Sequence, residues 1–121
     1  MSAKHFSMVV ALLAALGLSL VGCGSQATAE TVNLTLRAHD ISFDVTALDS
    51  KANQTVKLTY INDGVIDHAF AISGLVKEQK VKPGQSFTFT FTPPTAGAFN
   101  YYCAIAGHEA AGMVGTLMVS P

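Results

Sequence analysis

An all-β fold, a Greek-key sandwich or barrel of about seven to eight strands, is expected of this sequence on three observations. Apolar and polar residues alternate with a period of two in one segment after another beyond Glu30. Turn-forming groups such as Asn62-Asp63-Gly64, Ser73-Gly74 and Pro83-Gly84 punctuate these segments at short intervals. No stretch after Glu30 carries the spacing of a long amphipathic helix.

The elements follow in chain order. Val32, Leu34 and Leu36 alternate with polar residues as in a half-buried strand, and Ile41, Phe43 and Val45 repeat the pattern. Thr55 to Ile61 alternates and stops at Asn62-Asp63-Gly64. Ala69 to Ile72 is a short apolar strand closed by Ser73-Gly74, and the segment from Gly74 to Val81 is compatible with a turn of helix or a loop. Phe87 to Phe91 interleaves phenylalanine with threonine, both strong strand formers. Pro93-Pro94 ends that strand. Phe99 to Cys103 and Val114 to Val119 complete the set. Period two puts Phe99, Tyr101 and Cys103 on one face and Phe87, Phe89 and Phe91 on another, so the aromatics are expected in the core. Packing is also the expected role of Tyr60, Tyr102 and Met118, and His39 is read as a surface or core histidine.

At 121 residues the chain accommodates one domain. A formal net charge of −1 and the absence of any Lys/Arg cluster exclude nucleic acid as a partner class. The N-terminus has the character of a processing signal. Lys4 and His5 precede an apolar run from Met8 to Val21, shorter than the roughly 17–25 residues of a membrane-spanning helix and suited to export. The run ends Leu20-Val21-Gly22-Cys23, which resembles the bacterial lipoprotein signal. That resemblance implies cleavage after Gly22 and a diacylglycerol on the Cys23 sulfur. The alternatives are an ordinary signal peptide cut near Ala27–Ala29 or an uncleaved anchor, and the position of the cysteine favours lipidation. Residues 1–22 are thus expected to be a signal peptide, 23–30 a lipidated N-terminus with a short polar tether, and 31–121 the folded domain. The protein is then exported and lipid-anchored to a bacterial membrane, facing the periplasm or the cell exterior.

Export implies an oxidising compartment, in which two cysteines are by default a disulfide. Lipidation of Cys23 would leave Cys103 single, and a lone thiol there calls for a metal, a reactive role or an intermolecular bond. Cys103, His108 and Met113 fall within one short loop between the last two strands, and His68 opens a strand upstream. A thiolate, two imidazoles and a thioether are the ligand set of a blue-copper electron-transfer site. The bland readings are a buried structural thiol for Cys103, a strand-edge histidine for His68, a surface histidine for His108, and a core filler for Met113.

Four segments carry a resemblance to the cupredoxin family of plastocyanin, azurin, auracyanin and halocyanin. They are Asn62 to Phe70, Val81-Lys82-Pro83-Gly84-Gln85, Gly97 to Cys103, and Gly107-His108 with Ala111 to Gly115. The resemblance implies one copper ion held by His68, Cys103, His108 and an axial Met113. It also implies redox partners docking on the apolar surface near His108, around Ile105, Ala106, Ala110, Ala111, Val65 and Ile66. A monomer acting as a one-electron carrier and not as an enzyme is expected, with copper delivery or storage as the alternative. An oxidase would need further histidine clusters, and a binuclear copper centre a second loop cysteine. The chain departs from the family at Ala106, where proline is frequent, at Ala69, where a polar side chain often bonds near the sulfur, and at Asn53, where glycine is common.

Overall fold

The computed structural model describes Gly22, Gly24 and residues 30–121. Cys23 and most of the expected signal peptide and tether lie outside the described residues. Among the described residues no helix is long and apolar enough to cross a membrane. Nine strands form instead: β1 Val32–His39, β2 Ser42–Phe43, β3 Ala47–Lys51, β4 Val56–Asn62, β5 His68–Ile72, β6 Val76–Val81, β7 Ser86–Phe91, β8 Gly97–Tyr102 and β9 Val114–Ser120. They make two sheets, of order β2-β1-β4-β7 and β3-β9-β8-β5-β6. The pairs β1/β4 and β3/β9 are parallel and the others antiparallel. The sheets face one another as a sandwich, in agreement with the all-β expectation.

Alternation explains the core. Val56, Leu58, Tyr60 and Asn62 of β4 point inward, and Lys57 outward. β5 is buried along its whole length, so its apolar run from Ala69 to Ile72 is continuous where the other strands alternate. The sheets meet on aromatic rings. Phe70 of β5 lies 5.7 Å from Tyr60, 5.6 Å from Phe89 and 5.7 Å from Tyr101, centroid to centroid, distances at which tilted rings attract. Tyr101 also donates its hydroxyl hydrogen to the Val45 carbonyl at 2.8 Å.

Several expectations change. Phe87, expected in the core with the other aromatics, is 45% exposed at the start of β7. The segment from Gly74 to Val81 is neither helix nor loop: β6 is an edge strand whose buried ends, Val76 and Val81, enclose the polar Lys77 to Lys80. Edge strands are commonly charged because charge deters pairing with other chains, and the charge erased the apolar signal. β3 carries only Leu48 and Ser50 inward, too little to show as alternation. The expected strand through Ile41, Phe43 and Val45 shrinks to two residues: Phe43 is buried, but Ile41 has a φ of 61° and is exposed like Val45. Met118 is 49% exposed on the outer face of β9 rather than packed. At Asn53 the turn survives with a φ of 61°, the left-handed geometry that asparagine tolerates.

Gly115 of β9 sits against the Tyr101 ring, so an added Cβ would overlap its carbons and hydroxyl. Gly115→Ala should therefore cost about 1–3 kcal/mol by overpacking, seen as a lower denaturation midpoint. Burial first, and then the charge of Asp44, push the Tyr101 hydroxyl up from 10.0 to about 12. The unfolded chain loses this proton first, so stability should be full below pH 10 and decline as pH rises through about 12. Tyr101→Phe should remove that part of the alkaline decline.

Candidate metal centre

Strand ends converge at one pole of the sandwich. β4 ends there at Asn62, β5 begins there at His68, β8 ends there just before Cys103, and β9 begins there just after Met113. Asn62 is fully buried and ties the segment leading to His68. Its amide nitrogen donates to the carbonyls of Ile66 (2.8 Å) and Val81 (2.9 Å), and its side-chain oxygen accepts from the Gly64 N–H at 2.9 Å. The Asn62-Asp63-Gly64 group is more than a turn signal, since its first residue is the buried pin of the site.

The loop from Cys103 to Met113 is stiffened by its own backbone. The N–H of Cys103 donates to the Met113 carbonyl at 3.0 Å and that of Met113 to the His108 carbonyl at 3.0 Å. Inside this frame His108 bonds Ile105 at 3.0 Å, Ala111 bonds Gly107 at 3.0 Å, and Gly112 bonds Glu109 at 2.9 Å. Ala106 therefore sits in a loop already cross-braced by turns.

Three of the expected ligands are brought together. The ligand atoms of His68, Cys103 and His108 lie within 4.8 Å of one another, and all three residues are buried. Cys103 Sγ is 3.3 Å from His108 Nδ1 and 3.8 Å from His68 Nδ1. The two imidazole rings are 5.2 Å apart. Met113 is fully buried in the same apolar cluster as Cys103, where it completes a group of type 1 copper-site form. Cys23 lies outside the described residues.

Two features of the surroundings bear on the chemistry. Burial, and then the neighbouring His108, hold the His68 imidazole below its ordinary 6.5, so the neutral, lone-pair form is favoured. The backbone N–H of Ala69 donates to Cys103 Sγ at 3.3 Å. A polar side chain at position 69 is thus not needed for the sulfur to receive a hydrogen bond. Asp40 escaped the sequence reading: its carboxylate oxygen is 3.7 Å from His68 Nε2. It stands far from His68 along the chain, in the β1–β2 turn, and only folding brings them together.

Comparison with known proteins agrees with this geometry. Auracyanin-B of Chloroflexus aurantiacus is 26% identical over 129 aligned positions, covering 80% of this chain and 55% of that protein. The chain thus spans about half the length of the curated relative it matches. Among solved structures, auracyanin A of Chloroflexus aurantiacus, described as a blue copper protein, superposes with a TM-score of 0.67 at 21% identity, covering 75% of this chain and all of the other. The copper nitrite reductase of Nitrosomonas europaea superposes with a TM-score of 0.65 at 26% identity, covering 76% of this chain and 42% of that one. The model of the cupredoxin-like domain matches residues 9–119, nearly the whole sequence, and the chain belongs to that family.

Proposed function

We propose that the protein is a one-electron carrier. In this reading one copper ion would be held by Cys103, His68, His108 and Met113, and Cys23 would tether the domain to a membrane. The observation that carries it is the convergence of one buried sulfur and two imidazole nitrogens. That donor set fits copper: a trigonal Cys–His–His site with a distant thioether is the blue-copper arrangement. Tetrahedral structural zinc, by contrast, is bound by cysteine, histidine or carboxylate at all four positions.

When bound, copper supplies a one-electron couple, and the chain's own residues supply the rest. Burial keeps His68 neutral and its lone pair available. The Ala69 N–H withdraws charge from the sulfur. The braced loop restrains His108 and Met113, so little rearrangement accompanies a change of charge. His108 is 9% exposed, whereas His68, Cys103 and Met113 are fully buried. Electrons would therefore pass by way of His108, whose surroundings are the exposed Ala106, Ala110 and Ala111. A largely apolar surface of this kind, with the exposed Glu109 beside it, suits a partner that binds briefly, with few charge pairs to break.

The fold does not decide between carrier and enzyme, because a nitrite reductase shares it. The carrier reading is supported by the burial of the donors, with His68, Cys103 and Met113 fully buried and His108 9% exposed. The tether is compatible with this route. β1 runs parallel to β4, with Val32 opposite Val56 and Ala38 opposite Asn62. Val32 thus lies about 20 Å from the site's pole at ~3.3 Å per residue. The chain therefore enters the folded domain at the pole opposite the site.

Cu(II) added to the protein should produce an intense visible thiolate-to-copper band that Cys103→Ser abolishes. A colourless wild type, or a band indifferent to the substitution, contradicts the copper assignment. Met113→Leu should keep the colour and raise the reduction potential, on the order of the 59 mV that accompanies a tenfold change in a one-electron equilibrium. Cells supplied with labelled fatty acid should incorporate it into the wild type and not into Cys23→Ala, and equal labelling of both would remove the lipid anchor.

A further inference from the structure

His68 presents its two ring nitrogens to different surroundings. Nδ1 faces Cys103 Sγ, while Nε2 is buried and has no hydrogen-bond partner among the described residues. The ring nitrogen of a buried histidine that does not hold a metal normally carries a hydrogen and gives it to an acceptor. The acceptor nearest to hand is Asp40 Oδ1 at 3.7 Å. This separation is longer than a formed hydrogen bond, and in the role proposed for Asp40 the contact closes to one.

Three further features point to this contact. The same Asp40 oxygen accepts the Val65 N–H at 2.9 Å, which holds the carboxylate over the segment leading to His68. Gly64 lies directly between: a Cβ there would meet Asp40 Oδ1 first and His68 Nε2 next, so the missing side chain is the space through which the two approach. Asp40 and Ile41 form the two-residue turn between β1 and β2. Ile41 takes its φ of 61° there, where a β-branched residue is disfavoured. Strain in a turn that aims a carboxylate at a buried imidazole is an outlier of the kind found at functional sites.

We propose that Asp40 is a positioning residue for His68: its carboxylate accepts the Nε2–H, fixes the ring in the tautomer whose lone pair is on Nδ1, and adds negative charge behind that ligand. The inference rests on the copper reading for its redox consequence, but the tautomer is a property of the protein with or without metal. A carboxylate behind a ligating imidazole makes it more basic and favours the higher oxidation state. Its charge therefore lowers the reduction potential.

The variants separate this role from a structural one. Asp40→Asn keeps a side-chain oxygen for the Val65 N–H and removes the charge, whereas Asp40→Leu removes both. Asp49→Asn, on exposed β3 and paired across from Met118 at the outer part of the sheet, controls for loss of any one surface charge. Copper-loaded Asp40→Asn should stay blue with its potential raised by about 59 mV, equivalent to tenfold in the ratio of oxidised to reduced affinity, and the control should stay near the wild type. In the metal-free protein, nitrogen-detected NMR of His68 should show hydrogen on Nε2 in the wild type and a mixture of tautomers in Asp40→Leu. A potential for Asp40→Asn equal to that of Asp49→Asn, or an unchanged tautomer in Asp40→Leu, overturns the proposal. Absence of the thiolate-to-copper band in the wild type would instead refute the copper reading, and the metal-free tautomer would still judge Asp40.

Discussion

The Cys103 sulfur is the point on which the site depends. It faces His108 Nδ1 at 3.3 Å and His68 Nδ1 at 3.8 Å, and it accepts the Ala69 N–H at 3.3 Å. Those contacts come from β5 and from the loop before β9, while the sulfur itself belongs to the residue that follows β8. A buried sulfur and two buried imidazoles are costly to gather without partners. The surrounding backbone must therefore arrive already shaped, with few degrees of freedom left to freeze.

The shape comes from the two sheets. Phe70 packs on Tyr60 and Phe89 of the opposite sheet, and on Tyr101 of its own. That aromatic contact fixes β5 against β4, and with it the distance between Asn62 and His68. Tyr101 fixes β8 against β9 through the vacancy at Gly115, and Cys103 and Met113 lie just beyond on the same two strands. Packing in the middle of the sandwich is thereby transmitted to its end as ligand geometry. Surface ion pairs add little by comparison: Arg37–Asp63 at 2.7 Å and Lys80–Asp67 at 3.1 Å are both well exposed.

The site's immediate surroundings show how one function can be met by unlike sequences. With alanine at position 69, the hydrogen bond to sulfur comes from the backbone. With alanine at position 106, the loop is stiffened by a run of backbone turns rather than by a ring. These bonds depend on main-chain geometry, which sequence comparison cannot see. The same fold in a nitrite reductase shows that the strands are a support and that the chemistry lies in the few residues at their ends.

Much of this protein is determined locally and is therefore legible in its sequence. Alternation in β4, β7 and β9 marks strands because one face is apolar and the other wet. The spacing of Cys103, His108 and Met113 marks one ligand loop because all three lie in a single connection. What escaped is set by neighbours far along the chain. β6 is a strand only because β5 offers it a ladder, despite four polar residues in succession. Met118 and Leu117 are equally apolar, and their exposures of 49% and 0% follow from which face of β9 meets the other sheet. Asp40 becomes a neighbour of His68 only when the β1–β2 turn folds over Gly64. Residue types and short spacings specify the ligand set, whereas what stands behind each ligand is decided by tertiary packing, because hydrogen bonds and burial depend on distance in space and not along the chain.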